Sequence, residues 1–218
     1  MSTIIHVVDD DLPFLTAISR LLRAAGYDVA TYQSARELLE HLPDDRSPGC
    51  ILLDVRIPGQ SGPELQDRLN KLGSLLPVIF LTGYGDIPTS VQTIKAGAED
   101  FLTKPVPRDK LLDAIESALA HYERMREDRT RQDTLRDLVD SLTPREREVF
   151  EQIVRGKMNK QIAHELGATV RTIKAHRHRI MEKIKVQSLA ELVLVAERAG
   201  ILDAAASRKG DSCDGGSE

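Results

Sequence analysis

The chain has 218 residues, 41% of them hydrophobic and 29% charged, with a formal net charge of −4. That length accommodates two domains of about 100 residues each, and the composition excludes a disordered or fibrous protein. No apolar run approaches the ~20 residues of a membrane span, and two cysteines, Cys50 in an apolar run and Cys213 in a polar tail, exclude a disulfide framework or a cysteine-rich zinc site.

Tryptophan is absent and aromatic residues make up 4%, which argues against aromatic platforms for single-stranded bases. The N-terminus, MSTIIHVVDDD, lacks the basic segment of a signal peptide, so a reducing cytoplasm is the expected compartment, with no membrane partner. Charge is unevenly spread: residues 1–120 carry a net −6 and residues 142–202 a net +5. This asymmetry predicts one module that handles a cation and another that meets a polyanion.

Thr3–Val8, Tyr27–Tyr32, Cys50–Leu53, Val78–Leu81 and Asp100–Thr103 read as strands. Three are nearly continuous Ile, Val, Leu and Phe, the pattern of strands buried on both faces of a parallel sheet. Helical patterns separate them. Leu12-Pro13, Gly62-Pro63 and Ile87-Pro88 open helices, Ser34 caps one entering at Ala35, and Gly26, Gly73 and Gly97 sit where helices should stop. Five such units predict a doubly wound five-stranded α/β domain over residues 1–120, with function at the carboxyl ends of its strands.

After Lys110 the pattern is helical. Leu111, Ile115, Ala118, Tyr122 and Met125 form a stripe that fades at Arg129 and Gln132, and apolar residues return out of phase at Leu135, Leu138 and Leu142. One long helix that becomes a charged linker over 121–141 is predicted; fewer than three clean heptads argue against a coiled coil.

Four helices follow in a smaller all-α domain, 142–202. Thr143, Pro144 and Glu146 form a capping box that Gly156 answers; Asn159 caps a helix that stops at Gly167; Thr169 caps Val170–Lys185; Ser188 pairs with Glu191. Residues 203–218 are low in complexity and expected to be disordered.

Asp9, Asp10 and Asp11 follow the first predicted strand, and Asp54 ends the third. In a parallel sheet these strands are neighbours, so the carboxylates converge, and a hard cation is needed to relieve their repulsion. Few carboxylates with room for water and phosphate suit Mg²⁺ better than Ca²⁺. Asp11 is better assigned as a helix cap than as a ligand. Thr82 and Lys104 end the fourth and fifth strands, and a metal, a hydroxyl and an ammonium around Asp54 can neutralise a phosphoryl group on it. The Asp triplet replaces the glycine-rich loop that a dinucleotide would need. His6, inside a buried strand, is expected to be a packed, hydrogen-bonded core residue.

The motifs VVDDD (7–11), LLDVRIPGQSG (52–62), VIFLTGYGD (78–86) and GAEDFLTKP (97–105) resemble the CheY-like receiver domain of bacterial response regulators. The resemblance implies that Asp54 accepts a phosphoryl group from a sensor histidine kinase. It implies that Asp9, Asp10, Asp54 and the backbone carbonyl of Arg56 hold Mg²⁺, that Lys104 contacts the phosphoryl oxygens, and that Thr82 closes on them while Phe101 rotates inward. It also implies a cis bond before Pro105. Haloacid-dehalogenase-type phosphatases place a second acid two residues after their nucleophilic Asp. Arg56 stands there instead, so a long-lived acyl phosphate with at most slow self-dephosphorylation is expected.

The predicted helix Val170–Lys185 carries Arg171, Lys174, Arg177, Arg179, Lys183 and Lys185 with His176 and His178, opposite an apolar side of Val170, Ile173, Ile180 and Ile184, to which Ala175 and Met181 add partial contacts. The tight turn at Gly167 before a capped helix is helix-turn-helix punctuation. Residues 142–201 resemble the LuxR/FixJ-type helix-turn-helix domain through LTPREREVFEQIVRGKMNKQIAHELGATVRTIKAHRHRIMEKI and SLAELVLVA. This implies that Asn159–Leu166 supports a recognition helix whose Lys174, Ala175 and His178 face base edges, while Lys160, Arg171, Thr172 and Arg179 meet phosphates.

Together the two resemblances imply a NarL/FixJ-type response regulator. Its phosphorylation at Asp54 would control homodimerisation and sequence-specific binding to promoter DNA, with RNA polymerase as a further partner. Two alternatives are a phosphorylation-independent DNA-binding regulator with an inert receiver and an aspartyl-phosphate phosphatase.

Overall fold

Apolar runs and helix caps in the first half place the elements of an α/β sheet. The computed structural model describes residues 3–41, 47–83 and 97–201, so the predicted helix opened by Ile87-Pro88, Cys213 and the tail 203–218 lie outside the described residues. The chain divides into two compact units, Met1–Glu127 and Asp128–Glu218.

The first unit runs β1 (Ile4–Val8), α1 (Leu12–Ala24), β2 (Asp28–Tyr32), α2 (Ala35–Glu40), β3 (Gly49–Asp54), a two-residue hairpin of β4 (Arg56–Ile57) and β5 (Gln60–Ser61), α3 (Gly62–Lys71), β6 (Val78–Thr82) and β7 (Asp100–Thr103). Five strands form a parallel sheet in the order β2-β1-β3-β6-β7. The apolar runs are continuous because both faces are covered. Val7, Leu52 and Ile79 pack with Leu15, Leu22 and Leu111 on one side. Val8, Leu53 and Phe80 pack with Leu38, Leu65 and Leu69 on the other. His6 is a core residue as expected: its Nδ1 lies 3.1 Å from the Tyr32 hydroxyl, and burial pulls its pKa down to about 4.

Asp11 caps α1 by accepting from the Phe14 N–H, and Ser34 caps α2. Ser61 and Glu64 form a capping box at the start of α3, a Ser-x-x-Glu spacing that the reading of Gly62-Pro63 passed over. The predicted long helix is α4 (Arg108–Asp140). Leu111, Ile115, Ala118 and Tyr122 are buried, residues 127–134 are exposed, and burial resumes at Val139 and Leu142.

The second unit holds α5 (Pro144–Val154), α6 (Asn159–Glu165), α7 (Val170–Ile184) and α8 (Leu189–Arg198) around Val149, Phe150, Ile153, Ile162, Ile173, Ile180, Ile184 and Leu192. Three expectations change. The N-cap of α6 is Met158, not Asn159; the Met158 N–H donates to Gln161 Oε1 at 2.8 Å. Asn159 is the first helical residue, and its side chain is used elsewhere. On α7, Val170 is 36% exposed and Ala175 is exposed too, so neither joins the apolar face that the three isoleucines form. That helix stops at Ile184, one residue early, because Lys185 turns into the left-handed region at φ 61°.

Candidate functional site

Strand register brings the acidic residues together. Val8 of β1 pairs with Leu53 of β3, so Asp9 and Asp54, each one residue later, stand side by side. Asp54 in turn pairs with Leu81, and Thr82 with Thr103, which carries the rim on to Lys104. Carboxylate oxygens of Asp9, Asp10 and Asp54 lie within 4.8 Å of one another.

Lys104 spans two of these acids. Its Nζ donates to Asp9 Oδ2 at 2.5 Å and to Asp54 Oδ2 at 2.9 Å, and it lies 4.2 Å from the centre of the Phe14 ring. Asp9 is 1% exposed. Burial raises its pKa, with the Lys104 hydrogen bond and the Asp11 N–H working against that rise. Burial also pulls the Lys104 ammonium down, but its bonds to Asp9 and Asp54 outweigh this and hold it above the ordinary lysine value. The Lys104-Pro105 peptide is cis.

Three carboxylates beside one ammonium leave a local deficit of positive charge. An all-oxygen donor set around that deficit fits a hard divalent cation.

The other rim residues occupy distinct settings. Thr82 is buried, and its Oγ1 donates to the Gly83 carbonyl at 3.1 Å. Phe101 is half-buried on β7 against the core and pairs with Phe80. The Arg56 N–H donates to Asp54 Oδ1 at 3.3 Å, so that backbone lies beside the acids while its side chain is exposed. One constraint has no counterpart in the motif reading. A Cβ on Gly62 would lie 2.6 Å from the Asp54 carbonyl oxygen and 2.8 Å from the Phe80 ring, so only glycine lets α3 start this close to Asp54.

In the second unit, Lys160 on α6 and Arg171, Thr172, Lys174, Ala175, His178 and Arg179 on α7 are all exposed. Thr169 caps α7, and its hydroxyl also meets the Thr172 hydroxyl at 2.8 Å. His178 Nε2 lies 3.4 Å from Glu182 Oε1 one turn on. Two further cations that the helix spacing had counted on the exposed side are held by protein instead. Arg177 donates to Asn159 Oδ1 at 3.0 Å, and Lys183 donates to Glu146 Oε2 at 2.6 Å.

A parallel sheet with this acidic rim, followed by a capped helix pair with a basic outer face, defines a doubly wound α/β module joined to a helix-turn-helix module. Residues 5–116 match the response regulator receiver domain, and residues 140–196 match the bacterial regulatory proteins of the luxR family. The chain therefore belongs to the two-component response regulators that carry a LuxR-type DNA-binding domain and regulate transcription.

Among its relatives, the response regulator protein TodT of Pseudomonas putida is 43% identical over 198 residues, covering 90% of this chain and 86% of TodT. The transcriptional regulatory protein FixJ of Bradyrhizobium diazoefficiens is 40% identical over 199 residues, covering 91% and 97%. A low-resolution structure of the response regulator StyR superposes with a TM-score of 0.72 at 45% identity, covering 91% of this chain and all of StyR. Full-length FixJ from B. japonicum gives a TM-score of 0.55 at 40% identity, covering 91% and 97%. Among the described residues, no helix is long and apolar enough to cross a membrane.

Proposed function

We propose that a sensor histidine kinase phosphorylates Asp54 and that this modification controls homodimerisation and sequence-specific binding to promoter DNA. The supporting observation is the sheet register that gathers Asp9, Asp54, Thr82 and Lys104 on one rim. A carboxylate oxygen of Asp54 attacks phosphorus, and the bond to the donor's imidazole nitrogen breaks. Lys104, already 2.9 Å from Asp54 Oδ2, takes up charge on the phosphoryl oxygens. Asp9, Asp10, Asp54 and the Arg56 carbonyl hold Mg²⁺, which supplies electrostatic stabilisation of the transferring group.

The acyl phosphate adds about −1.5 to −2 charges to the rim. Thr82 turns from the Gly83 carbonyl toward the phosphoryl oxygens, and Phe101 moves into the space released. These shifts bias the surface that includes β7 and the first part of α4. With no carboxylate at position 56, hydrolysis is slow.

Residues 1–120 then form the receiver, 121–141 the linker, 142–202 the DNA-binding domain and 203–218 a tail. Cytoplasmic location and contact with RNA polymerase belong to the same reading.

Acetyl phosphate with magnesium is expected to tighten binding of the full-length protein to a duplex that it has selected from a randomised library. Fluorescence anisotropy reads the change. Unchanged affinity would instead favour a regulator with an inert receiver.

On the DNA side, Lys174, Ala175 and His178 read base edges, whereas Lys160, Arg171, Thr172 and Arg179 hold phosphates. Lys160→Ala is expected to weaken all duplexes alike and to lower the slope of log affinity against log salt by about 0.9. Lys174→Ala is expected also to relax base preference, by about 1–3 kcal/mol at the contacted position. Titrations of selected and shuffled duplexes across a salt series separate the two effects.

A further inference from the structure

Recognition helix α7 packs through Ile173, Ile180 and Ile184. Aliphatic contacts of this kind are strong but weakly directional, so they resist separation better than they resist a roll of the helix about its axis. Rolling matters here. With side-chain tips roughly 5 Å from the axis, a roll of about 20° displaces them by about 2 Å, more than a hydrogen bond to a base edge tolerates.

Something directional must set the roll. Among the described residues two side-chain hydrogen bonds tie α7 to other helices: Lys183 to Glu146 near its C-terminal end, and one at its middle, on the turn that carries Lys174, Ala175 and His178. In the latter Asn159, the first residue of α6, accepts at Oδ1 from Arg177 Nη1 at 3.0 Å, from a position 18 residues further along the chain. Both side chains are half-buried. Position 177 lies four residues after Ile173 and three before Ile180, so it shares the packed face, while Lys174, Ala175 and His178 stay exposed. A planar guanidinium holding a carboxamide oxygen is a directional contact that an ammonium or an alkyl chain cannot replace.

We propose that Asn159 is a positioning residue for duplex reading. By holding the Arg177 guanidinium it fixes the roll of α7 on α6 and so aims Lys174, Ala175 and His178. Arg177 is therefore a strut between two helices and not one of the phosphate contacts. The proposal rests on the DNA-binding reading of this unit.

The two roles for Arg177 leave different marks. A lost phosphate contact lowers the salt slope by about 0.9 and weakens every duplex equally. A lost strut leaves the slope alone and erodes the preference for the selected duplex.

Full-length wild type, Asn159→Ala, Asn159→Asp and Arg177→Ala are titrated, across a salt series, with the selected duplex and with a shuffled one. Circular dichroism confirms that each variant is folded. Asn159→Ala and Arg177→Ala are expected to lose about fivefold to tenfold of the selected-to-shuffled preference, with the salt slope unchanged. Asn159→Asp keeps the acceptor oxygen and restores the preference. A slope lowered by about one in Arg177→Ala, or an undiminished preference in Asn159→Ala, overturns the proposal. Absence of salt-dependent duplex binding by the wild type overturns the underlying reading, and this proposal with it.

Discussion

Asp54→Asn is expected to take up no phosphoryl group from acetyl phosphate and magnesium, whereas the wild-type protein becomes labelled at that one side chain. The substitution is nearly isosteric. Its carboxamide oxygen can still accept from the Arg56 N–H, which lies 3.3 Å from Asp54 Oδ1 in the wild type. What disappears is the anionic oxygen that attacks phosphorus, together with one of the three charges gathered within 4.8 Å. Intact-protein and peptide mass spectrometry read the label directly. The acetyl phosphate-dependent gain in duplex affinity should vanish in the same variant.

Chelation should act on the wild type in the same way. Lys104 faces both Asp9 and Asp54, and a further charge of about −1.5 to −2 would exceed the single positive charge it brings. EDTA is therefore expected to prevent labelling. If Asp54 stayed unmodified while another residue carried the label, the phosphoacceptor assignment would fail.

The second large effect is expected in the other unit. Glu146 is 4% exposed and joins two helices. It accepts from the Thr143 N–H at 2.9 Å to close the capping box of α5, and from Lys183 Nζ at 2.6 Å near the end of α7. The Lys183 hydrogen bond first, and then the Thr143 N–H, hold its carboxyl down to about 2. Since the folded value lies below the ordinary 4.5, the stabilisation is complete above pH 4.5 and drains away as pH falls toward 2.

Glu146→Gln is expected to cost about 1–3 kcal/mol, the lower part of the range for a buried pair because Lys183 can still reach water. The protein has no Trp, and all four Tyr precede residue 128, so intrinsic fluorescence reports the first unit. Amide exchange over α5 and α7 is the suitable measurement. Both Glu146→Gln and Lys183→Met should speed exchange there at neutral pH and flatten its acid dependence. Unaltered protection in both would remove Glu146 from this role.

Much of this molecule is legible along the chain. A parallel sheet covered on both faces writes each strand as an apolar run, and the residue that ends the run is placed at the carboxyl rim. That is why Asp9, Asp54, Thr82 and Lys104 can be picked out before any coordinate is known. Caps are equally local: the Asp11, Ser34, Thr143 and Thr169 side chains each accept from an N–H three residues on. Asn159 departs from this pattern, although its residue type favours capping. At the start of α6, Met158 takes the N-cap position and its N–H donates to Gln161 Oε1, while the Asn159 side chain accepts from Arg177.

Periodicity also reads the cations of α7 as flanking its isoleucines, with position 177 on their face. It could not say which of those cations another helix would hold. Asn159 and Glu146 are 18 and 37 residues from Arg177 and Lys183, Asp9 is 95 from Lys104, and the space that Gly62 leaves free is bounded by Asp54 and Phe80. Residue types and their spacing along the chain determined where strands, caps and reactive groups fall, because those follow from interactions a few residues long. Which charges are spent on protein and which remain for a ligand was decided only by packing, since a partner distant in sequence leaves no periodic trace.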